Sequence, residues 1–313
     1  MSEQRVVTLI ASATEIVSAL GFADRLIARS HECDYPPEVL ALPALTAPKF
    51  KVEGSSGEID RRVREIVAQG LSVYRVDAEM LRNLAPDLIV TQDHCEVCAV
   101  SLSDVEAATC DWAGAATRIV SLRPDSLDDV YTDITKVAAA LGVPDRGHGL
   151  VAAMRSRFAD VRARTKMLPQ PRVAFIEWSD PLMSGGNWMP TLIDIAGGDN
   201  LFGEAGGKSQ VMDWKDLVQA DPDVIIVAPC GYDLEAARRD HGTLAQRPGW
   251  ASLKAVRDGR VYCADGNAFF NRPSPRLVET AEIIAEILHP SHIDFGHRQQ
   301  RAWTGALPAE LPR

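Results

Sequence analysis

Cys95-x-x-Cys98, with His94 directly before it, is the most reactive spacing in the chain. Two thiolates at this separation can meet one metal ion, and His31, Cys33, His94 or Cys230 could complete a tetrahedral set. The same thiols serve equally well as the lining of a ligand site or as small buried hydrophobes. A redox pair of the thioredoxin kind would open a helix in a much smaller domain, which the surrounding residues do not suggest. Gly203-Glu204-Ala205-Gly206-Gly207-Lys208-Ser209 superficially resembles a phosphate loop. It fails because Phe202 stands where the first glycine belongs and because the stretch follows a helix rather than a strand. No G-x-S-x-G, H-E-x-x-H or strand-borne G-x-G-x-x-G is present. The absence of these signatures does not by itself decide whether the chain is catalytic.

The other candidate groups fall in short loops. Ser12 and Thr14 stand where a strand gives way to a helix, as caps or as ligand contacts. His31-Glu32-Cys33-Asp34-Tyr35-Pro36-Pro37 is a polar loop stiffened by its proline pair, and Gln92-Asp93-His94 leads into the cysteine pair. Later in the chain come Trp178 and Trp188, then Cys230-Gly231-Tyr232, then Phe269-Phe270-Asn271-Arg272.

Each loop follows an apolar run of strand length, and these runs repeat. Pro86-Asp87-Leu88-Ile89-Val90-Thr91 is echoed by Pro222-Asp223-Val224-Ile225-Ile226-Val227, each after a short helical pattern, Ala78 to Asn83 and Trp214 to Gln219. Continuous β-branched runs mark strands buried on both faces. Val6 to Ile10 with the helix Thr14 to Leu20 is matched by Val173 to Glu177 with Thr191 to Ala196, each pair closed by glycine. Between the halves, Leu127, Val130, Ile134, Val137, Ala138 and Leu141 follow helical spacing, and a second helix carries Leu150, Met154, Phe158 and Val161. The expected fold is α/β: two Rossmann-like lobes with mostly parallel sheets, residues 1–123 and 169–292, joined by a helical connector over 124–168. Residues 293–313 read as a surface tail. Ligands of such sheets bind beyond the carboxyl ends of the strands, so the polar loops should face one cleft between the lobes.

Composition excludes other classes. Thirty-three basic against forty-three acidic residues among 313 give a formal charge of −10, which repels nucleic acid and anionic membranes. No apolar run approaches the ~20 residues a membrane helix needs, so membrane insertion is not expected. Six cysteines are too few for a disulfide scaffold at this length. Met1 to Gln4 lack the basic start of a secretory leader. The expected location is cytoplasmic, or periplasmic if the true start lies upstream.

His31 to Pro37, the Pro86-Asp87 strand with Asp93 to Ser101, and Arg272-Pro273-Ser274-Pro275-Arg276 together resemble the cobalamin-binding branch of ABC-importer substrate-binding proteins. The resemblance covers residues 5 to 290 and implies a class III periplasmic-binding-protein-like fold, with two lobes on a rigid helix. It implies non-catalytic binding of cobalamin or a related corrinoid between the lobes, for sequestration or hand-over. Ser12, Thr14, His31, Glu32, Cys33, Asp34, Tyr35, Phe50, Gln92, Asp93, His94, Trp178, Trp188, Cys230, Phe269, Phe270 and Arg272 would be its ligand-binding positions. Arg272 would reach a corrin amide or phosphate, and the two phenylalanines would cover the corrin's apolar face. An ABC permease is the implied partner. Of the two docking glutamates of importer-type members, Glu79 matches the first, while Lys215 stands at the second. A metal, haem or siderophore carrier, or a metal-dependent enzyme using Cys95, Cys98 and His94, is the competing reading.

Overall fold

The computed structural model describes residues 4–69, 73–93, 102–109 and 117–304. The first lobe runs β1 (Val6–Thr8), α1 (Ala11–Ala19), β2 (Leu26–Arg29), β3 (Thr46–Pro48), α2 (Ser56–Ala68), β4 (Tyr74–Val76), α3 (Ala78–Leu84), β5 (Leu88–Gln92), α4 (Leu102–Thr109) and β6 (Arg118–Leu122). Its main sheet is parallel throughout, in the order β2-β1-β5-β6. β3 and β4 form a separate antiparallel ribbon. Every residue of β5 is buried, as its unbroken apolar run requires.

Two helices follow, α5 (Leu127–Ala140) and α6 (Pro144–Thr165). α5 packs on α1, so it covers the first lobe; α6 packs on α5 at one end and on the second lobe's helices at the other. At 22 residues, α6 is about 33 Å long, and it is the bridge. The arginines along it are mostly paired: Arg157 with Glu282, Arg162 with Asp194, Arg164 with Asp160.

The second lobe contains β7 (Arg172–Ser179), β8 (Leu182–Ser184), α7 (Met189–Ile195), β9 (Asp199–Asn200), β10 (Gln210–Val211), α8 (Trp214–Ala220), β11 (Val224–Val227), α9 (Leu234–Ala245), α10 (Lys254–Arg257), β12 (Val261–Cys263) and α11 (Leu277–Leu288). β7, β11 and β12 are parallel, and the β8–β10 edge is antiparallel.

The Pro-Asp repeat has a physical basis. In each lobe the helix before it ends in a left-handed residue, Ala85 (φ 40°) and Asp221 (φ 42°). The repeated aspartate then accepts a backbone N–H beside the neighbouring strand: Asp87 from Arg5 at 2.8 Å, Asp223 from Arg172 at 2.9 Å. One carboxylate in each lobe thus ties two parallel strands at their amino ends.

The tail departs from expectation. Ile293, Ala302 and Trp303 are buried, and Trp303 bridges to Ala264 beside β12. Glu286 of α11 accepts from the backbone N–H groups of Phe295 and His297 and from Trp303 Nε1. Up to Thr304 this segment is part of the second lobe's core rather than an appendage, because α11 carries buried carboxylates that need donors.

Candidate functional site

The two motifs that carry the resemblance face each other across the lobes. Arg272 lies in the turn after a π-helical stretch, Gly266–Phe270, that Asp265 caps by accepting from Ala268 N–H. A side chain at Gly266 would place its Cβ 2.2 Å from the Pro229 carbonyl oxygen, so glycine alone fits there. Arg272 Nη1 donates to Asp34 Oδ1 at 2.5 Å and to Glu15 Oε1 at 3.1 Å; Nη2 donates to Asp34 Oδ2 and Asn267 Oδ1, both at 2.9 Å. Glu15 on α1 also accepts from Ser274 Oγ at 2.5 Å. Arg276 sits between two aromatic rings, 4.0 Å from the Tyr35 centroid and 4.4 Å from that of Phe269. Asp34 and Tyr35 belong to one lobe and Arg272 and Arg276 to the other, so this is a clasp.

Burial makes the clasp asymmetric, with the Glu15 side chain 2% exposed and that of Asp34 44%. Burial pushes Glu15 above its ordinary range while Arg272, Ser274 and Arg276 pull it back. Asp34 is held below the ordinary carboxylate range because Arg272 and Asn267 outweigh its partial burial. Bidentate guanidinium–carboxylate pairing fixes orientation as well as energy. A second contact lies at the opening of α2, where Gly57 abuts Asp180 of the other lobe. Between α1, Tyr35–Pro36, α6 and Pro275–Glu279, a cavity of about 350 Å³ opens on the connector side of the clasp.

The strand-end loops supply the walls of the cleft. In the first lobe, His31 Nδ1 lies 2.7 Å from Thr46 Oγ1, and its ring packs on Tyr74 at 5.3 Å. Tyr74 donates to Glu32 at 3.3 Å. In the second, Trp178 at the end of β7 meets Tyr232 edge to face at 5.3 Å. Trp178 Nε1 and Tyr232 Oη have no hydrogen-bond partner among the described residues. Burial, with Asp240 nearby, pushes the Tyr232 phenol up to about 12, so it stays a neutral donor.

Several expected contacts sit elsewhere. Cys33 is fully buried and its sulfur accepts from Thr14 Oγ1 at 2.9 Å; Ser12 and Thr14 are likewise inside the first lobe. Trp188 is core, donating to the Phe270 carbonyl at 3.0 Å, and Phe270 is fully buried against Phe175. Phe269 lies under Arg276. Arg272 is paired with Glu15 and Asp34. Phe50 is half-buried, Gln92 buried, and Asp93 and Cys230 exposed at their strand ends. Glu79 and Lys215 occupy the same position in the equivalent helices α3 and α8; both are exposed, and Lys215 pairs with Asp213 at 3.1 Å. His94, Cys95 and Cys98 lie outside the described residues. Among the described residues no group of three or more His, Cys, Asp or Glu side chains could hold a metal ion, and no helix is long and apolar enough to cross a membrane.

Sequence reasoning missed Thr46, Tyr74, Asn267, Ser274 and Arg276. The charge complementarity of D-Y-P-P and R-P-S-P-R was the available signal for the last two.

Two α/β lobes clasped about a cleft on one bridging helix define a substrate-binding protein. The chain belongs to the periplasmic binding protein family, whose model matches residues 6–268; members of this family are non-enzymatic substrate-binding proteins of ABC transporters. It is 26% identical to the uncharacterized ABC transporter substrate-binding lipoprotein YvrC of Bacillus subtilis, covering 92% of this chain and 80% of the relative. It is 23% identical to the vitamin B12-binding protein of Vibrio parahaemolyticus, over 90% and 88% of the two chains. The crystal structure of a periplasmic heme binding protein from Pseudomonas aeruginosa matches with a TM-score of 0.72 at 22% identity, covering 99% of each chain.

Proposed function

We propose that this protein binds a corrinoid, cobalamin or a precursor, in the cleft between its lobes and hands it over without chemical change. The carrying observation is the clasp. Asp34 and Tyr35 on one side and Arg272 and Arg276 on the other hold the two walls at a fixed spacing, as a large rigid ligand needs. A preformed cleft limits the ordering cost of binding. Trp178 and Tyr232, half-buried and meeting edge to face, supply an aromatic wall, as expected of a site for a broad, mostly apolar ligand. The vitamin B12-binding relatives support this ligand class.

Haem is the second reading, favoured by the match to the Pseudomonas aeruginosa protein along the full length of both chains. The recipient is an ABC permease reached through the tips of the lobes, where Glu79 and Lys215 present opposite charges. Family membership favours delivery from outside the cytoplasm over a cytoplasmic store. Titration calorimetry with cyanocobalamin, hydroxocobalamin, cobinamide and haemin decides the ligand. Saturable binding of a corrinoid with haemin inert supports the proposal; haemin alone binding moves the assignment to haem, and no binding of any of the four rejects both. Fractionation of cells carrying the full-length gene decides location.

A further inference from the structure

The loop His31-Glu32-Cys33-Asp34 puts an imidazole and a thiol close together at the carboxyl end of β2, and their surroundings are opposite. Cys33 is fully buried with its sulfur engaged by Thr14, and burial pushes its thiol up to about 11. It remains protonated and faces the core, so it cannot reach a ligand. His31 is different: its side chain is 26% exposed and its ring is fixed from behind.

The fixing involves one nitrogen only. Nδ1 lies 2.7 Å from the buried hydroxyl of Thr46, which also accepts the backbone N–H of His31 at 3.0 Å and lies 2.9 Å from Ser30 Oγ. One lone pair of Thr46 Oγ1 is used by the His31 N–H. Its remaining lone pair and its proton are shared between Ser30 and Nδ1. When Thr46 donates to Ser30, Nδ1–H donates to Thr46 and Nε2 carries a free lone pair. Nε2 projects from the other side of the ring, with Glu32 Oε1 at 4.0 Å, beyond hydrogen-bond distance. Tyr74 packs against the ring at 5.3 Å and restrains its rotation. Asp34, three residues on, touches Asn267 and Arg272 of the other lobe, so the loop lies at the floor of the cleft. Burial and the nearby Arg29 hold the imidazole below its ordinary value. A metal-ligating histidine needs this arrangement, one nitrogen held by a protein acceptor and the other free.

We propose that His31 Nε2 is an axial ligand to the metal at the centre of the bound chelate, and that the cleft therefore selects corrinoids with an exchangeable axial position. This rests on the corrinoid reading and deepens it. In the step, a cobalt–water bond breaks, water leaves, and the Nε2 lone pair forms a cobalt–nitrogen bond. The proton stays on Nδ1 against Thr46, and no electron is transferred.

The test uses the full chain with two probes, aquocobinamide, which carries exchangeable axial water, and cyanocobalamin, whose axial positions are filled. Binding is read by tryptophan quenching and coordination by the corrin absorption bands. The expected result is a band shift on binding aquocobinamide, absent for cyanocobalamin and lost in His31→Gln. Affinity for aquocobinamide falls about a hundredfold in that variant and about tenfold in Thr46→Val. Circular dichroism checks that both variants fold. An arm that needs no variant is electron paramagnetic resonance of the cobalt(II) probe in protein carrying ¹⁵N-histidine, where a coordinated nitrogen changes from a triplet to a doublet splitting. Quenching with unshifted bands, a shift that survives in His31→Gln, or a shift lost instead in Cys230→Ser overturns the assignment while leaving corrinoid binding intact. Absence of quenching by either probe sinks the corrinoid reading itself.

Discussion

Arg272→Met tests the clasp most directly, because it removes the charge while nearly keeping the volume. The Arg272 side chain is 7% exposed and that of Glu15 is 2% exposed. The variant strands a buried carboxylate and cuts both oxygens of Asp34 from their fork. Removing one partner of a buried pair costs about 3–5 kcal/mol. Ser274 at 2.5 Å and Arg276 at 3.9 Å remain beside Glu15, so the lower end, about 3 kcal/mol, is expected. At roughly 2–4 °C per kcal/mol for a chain of this class, the melting temperature falls by about 6–12 °C. The pH dependence gives the sign. Without Arg272 the Glu15 carboxyl rises further above its ordinary 4.5, so the folded state binds more protons than the unfolded one between that value and the new one. The deficit is therefore complete at neutral pH and shrinks as pH falls through the raised value toward 4.5. Adding Glu15→Gln to Arg272→Met should recover part of the loss by removing the stranded charge. Urea unfolding of the ligand-free protein from pH 4 to 8 is the assay. A loss below about 1 kcal/mol with no pH dependence would refute the clasp. So would unchanged stability combined with weaker corrinoid binding, which would return Arg272 to the ligand.

Trp303→Ala should cost about 3–5 kcal/mol, since the ring is buried against Tyr262 and its Nε1 satisfies Glu286; an unchanged urea midpoint would make the tail the appendage its sequence suggests. Tyr232→Phe removes a buried hydroxyl that has no partner among the described residues, so ligand-free stability should hold or rise by about 1 kcal/mol. A stability loss in that variant would mean that the hydroxyl serves the fold. Asp87→Asn and Asp223→Asn should each cost about 1 kcal/mol, because both carboxylates accept from exposed backbone N–H groups. Asp223 should cost the more, since it also pairs with Lys254 at 3.3 Å; a large cost confined to one position would break the equivalence of the lobes.

What the sequence discloses depends on how locally each feature is determined. β5 and β11 are legible because burial on both faces demands unbroken apolar runs, and a strand of four or five residues carries that demand in full. The D-Y-P-P and R-P-S-P-R motifs are legible as motifs. Their meeting is not, because Asp34 and Arg272 are 238 positions apart and only the closure of two lobes on α6 brings them together. Read singly, each looks like a ligand contact. Read as a pair of opposite charge, they leave little free charge for a ligand, and the aromatic and imidazole groups nearby become the better candidates. The tail repeats the lesson at shorter range. α11 is apolar nearly all round, yet it carries Glu279, Glu282 and Glu286, and the last two are buried. Carboxylates on a helix with no solvent face require donors, and Arg157, His297, Trp303 and the backbone of Phe295 supply them. An acidic residue inside an all-apolar helix pattern is therefore a prediction that some other segment must dock there, even when that segment shows no periodicity of its own.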